Sequence, residues 1–271
     1  MANWESLEGT PPGHRSGFVA LMGRPNVGKS TLLNQILRQK VTIVSSKPQT
    51  TRTRIAGILT RDDMQIIFLD TPGIHRPHHQ LGQAMVTAAT GAIPDADVIL
   101  FVVDVSQRPS EEDLMTARAI RQGTQRPVIL TLNKMDKLPP ELVTEHTEAY
   151  WELIPDHASW MMISAIKGEN LDKLVKSIAE YLPEGPRFYP HDQITDQTER
   201  AIVAELVREQ VLRKTRLEVP HAVAVTVEEF KERDSGAFYI LANIHVERNS
   251  QKSILIGKRG QMLHKIGPDR P

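Results

Sequence analysis

GRPNVGKSTLLNQ, residues 23–35, follows the apolar run FVALM (18–22) and sets Gly23, Gly28, Lys29 and Ser30 at the spacing G-x-x-x-x-G-K-[ST]. A glycine-rich turn between a strand and a helix offers successive backbone N–H groups and a helix N-terminus, a site that suits phosphate. In this pattern the backbone curls around the phosphates, the lysine reaches β- and γ-oxygens, and the hydroxyl faces Mg²⁺. The expected cradle is therefore Gly23, Arg24, Pro25, Asn26, Val27, Gly28, Lys29, Ser30 and Thr31.

Outward from this turn, short apolar runs alternate with stretches of helical spacing. FVALM, RIAGILT (54–60), QIIFLD (65–70), DVILFVVD (97–104), PVILTLN (127–133) and MMIS (161–164) read as strands, and Leu32, Leu33, Ile36, Leu37 and later Leu171, Leu174, Val175, Ile178 read as helix faces. The pattern predicts an α/β fold, a P-loop domain with a mostly parallel sheet and helices on both faces. Ligands of such sheets sit at the carboxyl ends of the strands.

Three further strand ends carry chemistry. Asp70-Thr71-Pro72-Gly73 ends QIIFLD: the carboxylate can hold Mg²⁺ through water, and the glycine lets a backbone N–H approach a γ-phosphate. Taken alone, this tetrad is also ordinary turn chemistry. After PVILTL come Asn133, Lys134, Met135 and Asp136. A carboxylate here accepts from guanine N1–H and the 2-amino group, donors that adenine lacks; Asn133 suits the other edge of the base and the Lys134 stem its face. Ser164-Ala165 ends the sixth run, with backbone amides for guanine O6, or is a plain strand-to-turn junction.

The four motifs, in this order at strand ends, resemble the translation-factor-like GTPases over residues 17–182. The resemblance implies GTP or GDP with Mg²⁺. It also makes SSKPQTTRTRIAG (45–57) the loop that senses γ-phosphate, in which Thr50 and Thr51 both qualify as Mg²⁺ ligand and Thr51 is preferred, beside Ser30 and Asp70. Many GTPases orient water with a Gln directly after this glycine, whereas this chain has Ile74. Relatives with an apolar residue there use backbone, another loop or a monovalent cation, and Asn26 corresponds to the residue that helps seat K⁺. Lys29, Thr51, Gly73 and Asn26 are thus the residues expected to carry hydrolysis, with intrinsic turnover on the order of 10⁻⁴ to 10⁻² s⁻¹.

Other features have plainer readings. His75, His78 and His79 approach metal-ligand spacing but follow the DTPG turn and read as a switch loop. Ser110 to Asp113 reads as a helix cap rather than acid/base chemistry, and Trp151 and Trp160 read as core. The 33 basic and 33 acidic residues balance, so any basic surface is local. The absence of cysteine rules out a disulfide framework and suits a reducing cytoplasm. Residues 1–16 are Pro/Gly-rich with no apolar leader and read as flexible, and VILFVV (98–103) is too short to span a bilayer. The expectation is a soluble intracellular protein.

Composition turns to Pro, Gly and polar residues at 183–197, expected as a linker, and residues 198–271 read as a small α+β domain. Ile202, Val203, Leu206, Val207 and Val211 repeat at helical spacing, followed by the strand-like AVAVTVEEF (222–230) and FYILANIHV (238–246). Gly257, Lys258, Arg259 and Gly260 then form GKRG, flanked by Ile254, Ile256 and Leu263, as in the GxxG loop of a KH module that clamps single-stranded nucleic acid. From Arg248 to Arg270 six basic residues face one acid, Asp269.

With ITDQ, VTVEEF and ERNSQKSILIGKRGQMLHKIG added to the nucleotide motifs, the chain resembles, over about residues 17–267, the Era family of bacterial ribosome-assembly GTPases. That resemblance implies binding of small-subunit (16S) ribosomal RNA near its 3′ end, a part in 30S assembly, and a cytoplasmic location with loose inner-membrane association. KH type II modules of that family continue past KIG with a helix and a strand, whereas Pro268 and Pro271 stand here, so an incomplete module is expected. A P-loop ATPase or kinase is opposed by Asn133 to Asp136; a GTPase acting on a protein or membrane partner stays open.

Overall fold

The computed structural model describes residues 10–45, 47, 50–77, 79–215 and 223–267. The expectations for residues 1–9, Gln49, His78, Pro268 and Pro271 lie outside these. The chain divides into two compact units, one of residues 1–42 and 51–196, the other of 43–50 and 197–271.

In the first unit six strands, β1 (Arg15–Met22), β2 (Ile55–Thr60), β3 (Met64–Asp70), β4 (Val98–Asp104), β5 (Val128–Asn133) and β6 (Ser159–Met162), form a sheet in the order β2-β3-β1-β4-β5-β6. All pairings are parallel except β2 with β3. Successive side chains of a strand point to opposite faces, and the core divides accordingly. Val19, Leu21, Ile66, Phe68, Leu100 and Val102 pack against α1 (Lys29–Leu37) and α5 (Leu171–Tyr181). Ala20, Met22, Ile67, Leu69, Phe101 and Val103 pack against α2 (Gln80–Thr90), α3 (Glu111–Gly123) and α4 (Val143–Trp151). Burial on both faces is why these strands read as continuous apolar runs. The sheet order reverses at β1, whose neighbours β3 and β4 both follow it in sequence, and this opens a crevice beyond its carboxyl end.

Four expectations need correction. Arg15 and Ser16, read as part of a flexible start, belong to β1 and pair with Met64 and Gln65, and His14 before them is buried. The sixth strand is Ser159–Met162 rather than 161–164; Ile163 and Ser164 already belong to the turn beyond it. Trp160 is 43% exposed, because β6 pairs only with β5 and leaves one edge and part of a face uncovered; its ring meets Trp151 edge-on at 5.1 Å. The Pro/Gly-rich segment from residue 183 is strapped to the first unit as far as Asp196. Ser16 N–H donates to Pro183 O, Gln65 Nε2 to Tyr189 O, Ile58 N–H to Ile194 O and Ala56 N–H to the Asp196 carboxylate. These bonds give the buried Gln65 its partners and occupy the free edge of β2.

The second unit consists of α6 (Glu199–Lys214), the antiparallel pair β7 (Val223–Glu232) and β8 (Phe238–Val246), and two short helices, α7 (Asn249–Ile256) and α8 (Gln261–Ile266), joined through GKRG. Its core is small: Val211, Val223, Leu255 and Ile266, with partly buried Val207, Val225, Ile244, Val246 and Met262 around them. Phe238 to Leu241 lie exposed. Residues 43–50 join this unit through polar contacts on α6: Val44 N–H donates to Glu209 Oε1 at 3.0 Å, and Arg208 donates to the Thr50 carbonyl.

Candidate functional site

The turn after β1 converges with the ends of β3, β4 and β5 and the turn after β6. Gly28 adopts φ +105°, and a Cβ there would lie 2.4 Å from Asn133 Nδ2, so glycine is needed both for the backbone and for the approach of the β5 end. Asn133 uses that proximity: its Nδ2 donates to Val27 O at 2.7 Å and its Oδ1 accepts from Ala165 N–H at 2.9 Å. The side chain expected at the base edge thus ties the phosphate loop to the turn after β6.

Lys29 is buried, with Nζ donating to the carbonyls of Gly23 and Arg24 at 2.9 and 3.0 Å. Burial lowers its pKa to about 8. Ser30 Oγ donates to Asp70 Oδ2 at 2.7 Å, and Thr51 Oγ1 lies 3.1 Å from Ser30 Oγ. Thr50 Oγ1 instead donates to Lys47 O, so of the two candidate threonines it is Thr51 that joins Ser30 and Asp70. Asp70 is fully buried, and burial raises its pKa to about 6; its second oxygen, Oδ1, has no hydrogen-bond partner. An orphaned buried carboxylate oxygen beside two hydroxyls fits a hard divalent cation, and a buried ammonium held by carbonyls at a helix N-terminus fits a phosphate chain. Thr71 Oγ1 donates to Leu21 O at 2.6 Å, which fixes the start of the DTPG turn against β1; Pro72 follows, and Gly73 packs on Pro25.

Asp136 Oδ1 accepts from Ser164 Oγ at 2.6 Å, which orients the carboxylate beside the Ser164-Ala165 turn. Lys134, in the left-handed region at φ 66°, sends Nζ to Asn26 O at 2.8 Å and Asp104 Oδ2 at 2.6 Å. Met135 N–H donates to Ile163 O. The base-side residues are thereby braced to the phosphate loop. Ile74 is 2% exposed and lies in the core cluster of the α2, α3 and α4 face, so its side chain faces away from the site.

Sequence reasoning missed two supports. Asp104, at the end of β4, holds Lys134; a carboxylate closing an apolar strand was the available signal. Asp113 closes a capping box with Ser110 at the start of α3, as expected, but its carboxylate also accepts from Arg24 Nε at 3.1 Å and so anchors the phosphate loop. Among the described residues no group of three or more His, Cys, Asp or Glu side chains is arranged to hold a metal. In the second unit Lys258 and Arg259 are exposed in the turn between α7 and α8, with Gly257, Arg259 and Gly260 all at positive φ.

Comparison with known proteins follows this geometry. Residues 18–134 match the family described as 50S ribosome-binding GTPase, and residues 218–269 match the KH domain. GTPase Era of Clostridium botulinum (strain Okra / Type B1) is 48% identical over 252 residues, 93% of this chain and 84% of that protein. A crystal structure of Era in complex with MgGDPNP and nucleotides 1506–1542 of 16S ribosomal RNA superposes with a TM-score of 0.89 at 43% identity, covering 94% of this chain and 86% of that one. A single-residue variant of Aquifex aeolicus Era bound to GDP·AlF4⁻ gives a TM-score of 0.88 at 43% identity, over 93% and 86% of the two chains.

Proposed function

The chain belongs to the Era family of GTPases, and from that premise we propose that it is a guanine-nucleotide switch that binds small-subunit ribosomal RNA through its GKRG turn and assists assembly of the 30S subunit and processing of its RNA. The observation that carries the RNA half is the exposed Lys258-Arg259 pair at the turn between α7 and α8, in a chain similar to an Era solved in complex with 16S RNA.

As a GTPase, the protein binds the phosphate chain with Lys29 and backbone N–H groups of the loop over residues 26–31. Ser30, Thr51 and Asp70 would hold Mg²⁺, which would supply positive charge to the phosphate chain. Asp136, oriented by Ser164, reads the two guanine donors. Because the Ile74 side chain offers no polar atom, the attacking water is oriented by backbone and by neighbouring loops, and intrinsic turnover on the order of 10⁻⁴ to 10⁻² s⁻¹ is expected. Asn26, in the left-handed region of the phosphate loop, is the residue that would help seat K⁺. The setting implied by the family is the cytoplasm, with loose association at the inner membrane; among the described residues no helix is long and apolar enough to cross a membrane.

The test is binding of an RNA with the sequence of the small-subunit 3′ end, measured against salt with a GTP analogue and with GDP. Lys258→Asp with Arg259→Asp is expected to weaken binding at least tenfold and to flatten the salt dependence by roughly 1–2 units of log–log slope. Equal affinity of the parent and the double variant would remove the RNA role from this turn and favour a protein or membrane target.

A further inference from the structure

Between β3 and α2 one peptide group is held at both ends. The Gly73 carbonyl lies 2.9 Å from His75 Nδ1, and the Ile74 N–H, the other half of the same peptide, donates to Gly23 O at 3.2 Å. A carbonyl only accepts, so Nδ1 carries the proton. Gly73 is wedged against the phosphate loop: a Cβ there would lie 2.4 Å from Pro25 N. The imidazole is fixed in turn. His75 is 8% exposed, and a Cβ on Gly82 of α2 would come within 3.2 Å of Nε2, so the ring sits closely over a bare stretch of that helix.

We infer that His75 is a positioning residue for GTP hydrolysis: its Nδ1–H pins the Gly73 carbonyl, and so restrains the Gly73 backbone torsions that link this held peptide to the preceding Pro72–Gly73 peptide, whose N–H meets the terminal phosphate. Donors aimed in advance at developing charge accelerate a reaction without reorganising during it. In a chain whose next residue is Ile74, buried away from the site, that organisation has to come from the backbone and from whatever holds the backbone. The chain couples three fixed points to one peptide: Gly23 on its N–H, His75 on its carbonyl, and α2 behind the ring. The inference rests on the reading that the Gly73 N–H contacts the γ-phosphate.

The experiment compares His75→Ala, His75→Asn and His75→Gln in the full chain by single-turnover and steady-state GTP hydrolysis, with GDP affinity as the check on folding. The Asn amide falls near the place of Nδ1, the Gln amide near that of Nε2. The expected result is a kcat about tenfold lower for His75→Ala, the effect of one hydrogen bond made in the organised site, with KM within threefold and GDP affinity within twofold. His75→Asn recovers a substantial part of kcat and His75→Gln does not. Unchanged kcat in His75→Ala overturns the inference, as does equal impairment of the Asn and Gln variants, which would make the ring mere packing. If His75→Ala does not fold, the Asn and Gln pair decides the matter alone. The Gly73 amide resonance of the parent reports separately on the underlying reading: a shift between the GDP and GTP-analogue complexes upholds it, and an unchanged resonance sinks it whatever His75 does.

Discussion

Asp70 and Lys29 are buried charges placed where a cation and a phosphate chain belong, and both are displaced from their ordinary pKa in the direction that disfavours charge. Asp70 ionises at about 6 in the folded, nucleotide-free protein against 3.8 when unfolded. The unfolded chain therefore gives up this proton first, and a penalty on the fold grows from about pH 4 and is complete above about pH 6, on the order of 2–3 kcal/mol. Asp70→Asn removes that penalty and keeps a side-chain oxygen near Ser30. The nucleotide-free variant is expected to melt above the parent at pH 7.5 and level with it at pH 4, while Mg²⁺ no longer tightens binding of GTP; a variant less stable at pH 7.5 would refute this account. Specificity belongs to the same scale. Asp136→Asn replaces the acceptor of two guanine donors with an amide that meets one of them with N–H, so affinity for GTP should fall on the order of 10³-fold and that for the xanthine nucleotide should rise. Competition binding with both nucleotides checks it, and equal displacement of labelled GTP by ATP in the parent would overturn guanine recognition.

Helix α6 shows what an element holds that its pattern conceals. Its apolar residues mark a helix readily, yet the side chains it buries include Arg208, 3% exposed, and Glu209, fully buried, while Leu206 is exposed. Glu209 accepts from Val44 N–H and from Arg213 Nη2. Glu209→Ala leaves a partly buried backbone donor without this acceptor, so a loss of about 1 kcal/mol and faster amide exchange at Val44 are expected, with Glu209→Gln in between; unchanged exchange at Val44 in the alanine variant would show that Glu209 does not hold this segment. Single-sequence reading could not find the contact, because 165 positions separate the partners and a charged pair in a helix reads as a solvated face. The same limit explains Trp160, where size suggested core but an edge strand leaves it open, and residues 183–196, where composition suggested a free linker but a sheet edge and a buried Gln65 needed partners. What was legible was the placement at strand ends: GRPNVGKS, DTPG and NKMD follow or close β1, β3 and β5 as the apolar runs put them, whereas Ser164-Ala165 lies in the turn beyond β6 rather than at its end. The choice of Thr51 over Thr50 needed coordinates, because adjacent identical residues differ only in where the backbone turns them.

At the scale of the molecule, the two units differ in what can stabilise them. The first has a sheet buried on both faces, whereas in the second the described apolar cluster at the two-stranded sheet holds four buried residues, with Leu212 and Ile43 buried besides and Phe238 to Leu241 exposed, a core expected to be marginal. The nucleotide-site residues all belong to the first unit. A ligand stabilises only what it binds, by about 2.7 kcal/mol at a hundred times its Kd, roughly 5–10 °C in the melting of a domain of this size. Heating should therefore produce two transitions. No tryptophan occurs in residues 43–50 or 197–271, so tryptophan fluorescence follows the first unit, while far-UV circular dichroism follows both. Circular dichroism is expected to show an early loss that fluorescence does not, and GDP with Mg²⁺ should raise the fluorescence transition while leaving the early one within about 2 °C. One coincident transition in both signals, moved as a whole by nucleotide, would mean that the units unfold as one.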